Sequence, residues 1–303
     1  MAIPFIREIE FEYGKVEQVS PLIRRVIANN PGPFTFIGTG VYIIGHGDVA
    51  VVDPGPNDPA HFEALKQALA GETIKYVLVT HGHSDHSPLA HPLAEWAGCK
   101  VYARGCAEPT AKGELGSEDD PDFSPDECIC EGETFSGPGW TLETIETPGH
   151  TRNHLCFALL EENACLTGDH IMGWSTTIVA PPDGNMTDYF LSLDKIETRQ
   201  FDVLWPTHGA PVREKAFVES FIQSYRQHRQ EREDGVIEHL KAGETSIPNM
   251  VKAMYVGLEE RLFPAACLSL LGHMYKLMDE GRVRCSDETP VIQSKFSLIE
   301  VTV

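Results

Sequence analysis

Positive charge is scarce in this chain. Lys and Arg number 24 against 45 Asp and Glu, giving a formal net charge of −21 at pH 7. That balance argues against general affinity for nucleic acid or an anionic membrane, though it leaves room for a local basic groove. No run of about 18 apolar residues occurs, so no transmembrane helix is expected and no membrane partner. The opening Met1-Ala2-Ile3-Pro4-Phe5-Ile6-Arg7-Glu8 is too short and too charged for a signal peptide. A cysteine framework is also missing. The eight cysteines are scattered, and only Cys128 and Cys130 lie close together. They are expected to be reduced thiols in a cytoplasm, mostly packing residues. Internal repeats and low-complexity tracts are absent; the nearest thing is an acidic segment at 114–127, which reads as a loop.

What is present is an alternation of strand and helix signals in a chain long enough for a large core plus an appended module. Val41-Tyr42-Ile43-Ile44 and Val49-Ala50-Val51-Val52 flank Gly45-His46-Gly47-Asp48, which predicts an antiparallel hairpin. Asp58 as N-cap, Pro59 as first helical residue, Phe62, Leu65 and Leu69 on one face and Gly71 beyond predict a helix. Further helices are expected over 88–97, 187–198 and around Val218, Phe221, Ile222 and Tyr225. Strands are expected at 100–102, within 134–145 and within 155–167, where Glu161-Glu162-Asn163 forms the turn.

The most informative run is Thr80-His81-Gly82-His83-Ser84-Asp85-His86. Four metal-capable side chains fall within six residues, directly after the strand-like Tyr76-Val77-Leu78-Val79. A single His-x-His can be an ordinary polar loop. With Asp85 and His86 added, packing is a poor explanation, because unpaired His and Asp are costly to bury together. A divalent cation satisfies all of them, and zinc accepts this nitrogen and oxygen set. The same layout, an apolar run giving way to a Gly- or Pro-bearing loop, recurs at His150 (Thr147-Pro148-Gly149-His150), Asp169 (Leu166-Thr167-Gly168-Asp169) and His208 (Trp205-Pro206-Thr207-His208-Gly209).

These motifs, in this order, resemble the metallo-β-lactamase superfamily of binuclear metal hydrolases. The resemblance implies an α/β chain with an αββα sandwich whose ligand loops share one edge. It implies that His81, His83 and His150 hold one metal, that Asp85, His86 and His208 hold a second, and that Asp169 bridges both. Asp53, in Val51-Val52-Asp53-Pro54-Gly55, matches the family's strand-end aspartate that supports the ligand loop. Two Zn2+ are expected, with iron or manganese as alternatives. Members often continue the first motif with Gly-Gly; here Ser87-Pro88-Leu89 follows instead, so the loop and the helix entry beside the metals should differ.

The last third of the chain changes character. Three short helices are expected, around Val236, Ile237 and Leu240, around Val251, Met254 and Tyr255, and around Leu268, Leu271, Tyr275 and Met278, followed by a hairpin formed by 282–285 and 291–298. This resembles the C-terminal winged-helix-like module of the lactamase-β-like subfamily, which includes single-strand-specific endoribonucleases. The expected division is a catalytic domain over 1–225 and the winged-helix-like module over 226–303. Lys276, Arg282, Arg284 and Lys295 could meet a phosphate backbone. Interspersed with Asp279, Glu280, Asp287 and Glu288 they form no stripe, and the module reads better as a wall of the cleft.

By the resemblance, two cations hold a bridging hydroxide that attacks an electrophilic carbon or phosphorus. Asp85 is placed to accept a proton from it, and His154 to give one to the leaving group. His170 is the other candidate support, His91 reads as structural, and His273 could face the cleft. Arg152, Trp174 and Met186 are candidates to touch the substrate. Three reactions remain open: hydrolysis of a small ester or thioester, favoured by the acidic charge; cleavage of single-stranded RNA, favoured by the module; and iron-dependent persulfide dioxygenation. The oligomeric state is not legible in the sequence.

Overall fold

The computed structural model of the chain describes residues 3–105, 120 and 122–299. Part of the acidic segment at 114–127 lies outside them.

Short runs rich in β-branched residues, buried along nearly their whole length in the central strands, build the first sheet. Its strands lie in chain order: β1 (Glu17–Gln18), β2 (Ile23–Ile27), β3 (Gly40–Ile44), β4 (Asp48–Val52), β5 (Thr73–Leu78), β6 (Lys100–Ala103) and β7 (Glu127–Cys128). The expected hairpin is there, with Tyr42 opposite Val52 in antiparallel register. From β4 onward the pairing is parallel. Parallel neighbours need crossovers, and α1 (Pro59–Ala68) and α2 (Ala90–Ala97) supply them on the outer face. The Asp58 carboxylate accepts the Ala60 N–H at 2.8 Å, as the cap reading required.

The second sheet comprises β8 (Thr134–Gly137), β9 (Trp140–Glu146), β10 (Leu155–Leu159), β11 (Ala164–Gly168), β12 (Val203–Pro206) and β13 (Val212–Arg213), in the order β13-β12-β11-β10-β9-β8. Outside it lie α3 (Met186–Arg199) and the 27-residue α4 (Lys215–Lys241). Alternation sorts each strand between two layers. Tyr42, Ile44, Leu155, Phe157 and Trp205 meet between the sheets, whereas Val41 and Ile43 face α1 and α2, and Cys156 and Ala158 face α3 and α4. The result is the αββα sandwich.

The C-terminal module adds α5 (Ile247–Met254), α6 (Phe263–Asp279) and the hairpin of β14 (Val283–Cys285) with β15 (Phe296–Leu298). The division expected at 225 and 226 falls inside α4. The first half of that helix packs Val218, Phe221 and Tyr225 on the second sheet, and its second half packs Val236 and Leu240 against α5 and α6. One rigid helix therefore serves both units. α6 starts five residues before Leu268, where Pro264 takes an N-terminal position. No described helix is long and apolar enough to cross a membrane.

Candidate metal centre

The ligand-bearing residues sit where strands run out at one edge of the sandwich. Asp53 follows β4, residues 81–86 follow β5, His150 follows β9, Asp169 follows β11 and His208 follows β12. His81, His86, His150, Asp169 and His208 are buried, and the Asp85 side chain retains 24% exposure.

Their donor atoms converge in two groups. His81 Nε2 and His150 Nε2 lie 2.9 and 3.3 Å from His83 Nδ1. Asp85 Oδ2 lies 3.0 Å from His208 Nε2 and 3.4 Å from His86 Nε2. Asp169 spans both groups: Oδ1 is 3.4 Å from His208 Nε2 and 3.6 Å from His86 Nε2, while Oδ2 is 3.8 Å from His150 Nε2.

Hydrogen bonding alone does not account for this cluster. His86 Nε2 and Asp169 Oδ1 are buried without a hydrogen-bond partner, and the gap between them is too long for one. In the first group a single proton on His83 Nδ1 would have to be shared between His81 Nε2 and His150 Nε2, whereas a cation takes one lone pair from each ring. Three imidazoles on one side, two imidazoles and a carboxylate on the other, and a carboxylate spanning them form a donor set suited to divalent cations.

The electrostatics agree. Burial and the neighbouring imidazoles hold His81 well below the ordinary range, and burial with His150 takes His83 down to about 3, so both stay in the neutral form that binds a cation. Burial would raise Asp85 and Asp169, but the adjacent imidazoles outweigh it and hold both carboxyls low. Burial would lower His86 and His208, but Asp85 and Asp169 outweigh it and raise both. A raised pKa keeps the proton on these two rings further up the pH scale, and that proton competes with a cation for the same nitrogen. Added zinc should therefore raise the melting temperature more at about pH 8 than at about pH 6. A zinc-induced shift that is flat or falls over that interval, measured by scanning calorimetry, contradicts the ligand assignment.

Partners outside the ligand set fix the ring orientations. Asp53 is 1% exposed and receives four donors: the Thr80 N–H on Oδ1 (2.8 Å), and the Thr80 hydroxyl (2.8 Å), the His86 Nδ1–H (2.9 Å) and the Thr207 hydroxyl (3.1 Å) on Oδ2. In the neutral ring this puts the proton on Nδ1 and turns the His86 Nε2 lone pair towards the centre. His150 Nδ1–H donates to the Ile178 carbonyl at 2.7 Å, and His208 Nδ1–H to that of Gly38 at 3.1 Å. Gly38 is held at φ +122, and a Cβ there would come within 2.1 Å of the Ala28 carbonyl, so only glycine offers this acceptor. Thr80, Thr207 and Gly38 were not singled out in the sequence. Thr80 and Thr207, beside ligands at matching strand ends, were the available signal.

Residues 35–208, more than half of the chain, match the metallo-beta-lactamase superfamily. The chain belongs to that superfamily. Residues 246–289 match the beta-lactamase associated winged helix domain. The chain is similar to the lactamase-like protein adaB of Aspergillus niger, at 28% identity over 289 residues, covering 89% of this chain and 84% of that one. It is also similar to the atrochrysone carboxyl ACP thioesterase AgnL7 of Paecilomyces divaricatus, at 32% identity over 201 residues, covering 65% of this chain and 58% of that one. Among solved structures, a beta-lactamase domain protein from Burkholderia ambifaria shares the fold, with a TM-score of 0.78 at 22% identity, covering 94% of each chain. The protein is a metal-dependent hydrolase of this superfamily, and its His/Asp cluster is the place for divalent metal.

Several residues near the metallo-beta-lactamase motifs are not where proximity in sequence suggested. His154 is fully buried. It accepts the Asp169 N–H on Nε2 at 3.1 Å, so its proton sits on Nδ1 and is donated to the Thr147 hydroxyl at 2.8 Å. Burial and the neighbouring His170 hold it well below the ordinary range. Both ring nitrogens are engaged within the fold and the ring does not line the cavity, so His154 fixes the Asp169 loop and is not placed to reach a leaving group. Gly168 (φ +51) makes room for it, since a Cβ there would lie 2.6 Å from His154 Nε2. His170 supports that loop through its carbonyl, which accepts the Tyr189 and Thr177 hydroxyls at 2.8 and 3.0 Å.

Arg152 turns outward to Asp183 at 2.9 Å, and Met186 is buried in the core between the second sheet and α3, so neither touches the cavity. His273 is buried against Glu233 at 3.2 Å rather than facing the cleft. His91 Nε2–H donates to the Ser124 carbonyl at 2.7 Å, a structural contact. Ser87, which stands where family members often carry glycine, has its hydroxyl 3.1 Å from the His83 carbonyl and 3.0 Å from Asp120 Oδ2, and α2 begins only at Ala90.

Trp174 does line the cavity, stacked on Phe36 at 4.7 Å and 10°. The cavity holds about 330 Å³. Its floor includes His83, Asp85, His150, Asp169 and His208, and its far wall comes from α4, α6 and the segment between α5 and α6.

Proposed function

We propose that the protein hydrolyses a thioester or ester of a small molecule, with two zinc ions held by His81, His83 and His150 on one side and by Asp85, His86 and His208 on the other, Asp169 bridging. The observation that carries this reading is the cavity. Leu258, Leu262, Ala265 and Ala266 of the C-terminal module close an apolar slot over the ligand set. Such a slot suits an acyl group of modest size. A polynucleotide needs an open, basic groove. Lys276 and Arg282 are instead engaged with Glu233 and Glu280, and Arg284 with Ser297. The thioesterase among the relatives points the same way.

Bound there, the cations would lower the pKa of water and polarise the scissile carbonyl. The rest falls to the chain. Asp85, the ligand-set carboxylate with a partly exposed side chain, lines the cavity and can hold a proton released by the nucleophile. Asp53, the Ile178 carbonyl and the Gly38 carbonyl keep the ring protons of His86, His150 and His208 on the side away from the reaction. Trp174 and the module's apolar side chains bind the acyl group and exclude water, which strengthens each polar contact inside.

A paired assay tests the proposal. Zinc-loaded protein should hydrolyse acyl thioesters or esters, at rates that change little between about 50 and 500 mM salt. Cleavage of labelled single-stranded RNA that weakens steeply over that range, with no thioester or ester turnover, would replace this reading with a phosphodiesterase.

A further inference from the structure

Arg229, on α4, lines the cavity that also contains Asp85 and Asp169, and is 2% exposed. Its contacts are neutral ones. One Nη donates to the Thr177 carbonyl and the other lies 3.4 Å from the Ser269 hydroxyl, the guanidinium rests 5.0 Å from the Tyr189 ring, and Nε is buried without a partner. One turn along, Arg232 is similar. It donates to the Met254 carbonyl at 3.0 Å and stacks on Tyr255 at 4.1 Å. Among the described residues, neither guanidinium has a carboxylate at ion-pair distance. Glu233, four residues from Arg229 on the same helix, is bound by His273 at 3.2 Å and Lys276 at 3.0 Å.

A guanidinium taken out of water without a counter-charge is costly. With 45 acidic residues in the chain, a carboxylate neighbour was readily available. Between the two arginines, His228 also lines the cavity, and burial first, then Arg229 and Arg232, pushes its ring down to about 3, so it adds no negative charge beside them. The wall contributed by Leu258, Leu262, Ala265 and Ala266 is apolar and carries no second cation to compete with Arg229 for an anionic group.

We propose that Arg229 is an oxyanion subsite of the substrate pocket: the hydrolase takes a substrate that carries a carboxylate or phosphate in addition to its scissile carbonyl, and that group provides the missing counter-charge. The proposal rests on the thioester or ester reading for its chemistry, but the subsite can be measured without turnover.

Two sources of the oxyanion are separable. Glutaryl and pentanoyl thioesters of N-acetylcysteamine differ in the acyl carboxylate. Pentanoyl thioesters of pantetheine 4′-phosphate and of pantetheine differ in the leaving-group phosphate. In at least one pair the charged member should have a kcat/KM about tenfold higher or more. Arg229→Gln should bring the charged-to-neutral ratio of kcat/KM to about one, whatever its effect on the absolute rates, and Arg229→Lys should retain part of the preference. In parallel, calorimetry on zinc-loaded protein compares glutarate with pentanoate and inorganic phosphate with sulfate-free buffer. If no thioester is hydrolysed yet glutarate or phosphate binds the native protein and loses affinity in Arg229→Gln, the subsite stands and the thioester reading falls. Equal handling of the two thioesters of each pair in turnover, together with no tighter binding of glutarate than of the monocarboxylate pentanoate and no binding of phosphate, overturns the proposal. So does an equal loss on both members in Arg229→Gln, which would make Arg229 a strut between α4 and the Thr177 segment.

Discussion

Replacing Asp169 by Ala should remove activity and most of the bound metal together. Its two oxygens face different ligand groups, at 3.4 Å from His208 and 3.8 Å from His150, so truncation withdraws a donor from both at once. It also removes negative charge from beside the buried imidazoles of His86, His150 and His208, which weakens the attraction for cations. The expected loss in kcat/KM is on the order of 10³ or more, beyond the 10–100-fold typical of supporting partners. The backbone should tolerate the change, because the Asp169 N–H still donates to His154 and its carbonyl still accepts from Thr177. A folded Asp169→Ala protein with native metal content and native rate would defeat the site assignment.

The second large effect is expected at Asp53, which touches no substrate. Asp53→Asn keeps the shape and the left-handed backbone (φ 49), which Asn also accepts. It cannot keep the hydrogen bonds. If the new amide nitrogen takes the Oδ1 place, it meets the Thr80 N–H, donor against donor. If it takes the Oδ2 place, the two threonine hydroxyls can turn, but His86 Nδ1 must become an acceptor. The His86 proton then moves to Nε2, the nitrogen that faces the centre. Zinc affinity or turnover should fall about 10–100-fold, with little change in fold. A chelator competition that returns the native affinity, alongside a native rate, would remove Asp53 from the account.

The ligand set was legible because each ligand sits at the end of an apolar strand, and strand periodicity survives in a single sequence. The hairpin was legible for the same reason, and α1 from its Asp58 cap, Pro59 and apolar face, whereas the layer order came only with the family resemblance. Nearness in sequence misled where the chain turns between neighbours. His154 and Arg152 lie close to His150, yet one turns into the loop beneath Asp169 and the other out to Asp183. Met186 opens α3 and is committed to the core by the face of that helix. Arg229 could not be found this way at all. It reaches the cavity only because one long helix carries the C-terminal module over the sandwich edge, and no local pattern encodes that approach.

The central claim is that seven side chains hold two divalent cations with the Asp169 carboxylate between them. Anomalous diffraction at the zinc edge, on crystals of zinc-loaded protein, tests it most directly. The account predicts two peaks about 3.5–4 Å apart, one beside His81, His83 and His150 and the other beside Asp85, His86 and His208. A single peak at full loading, or peaks away from these residues, would contradict it.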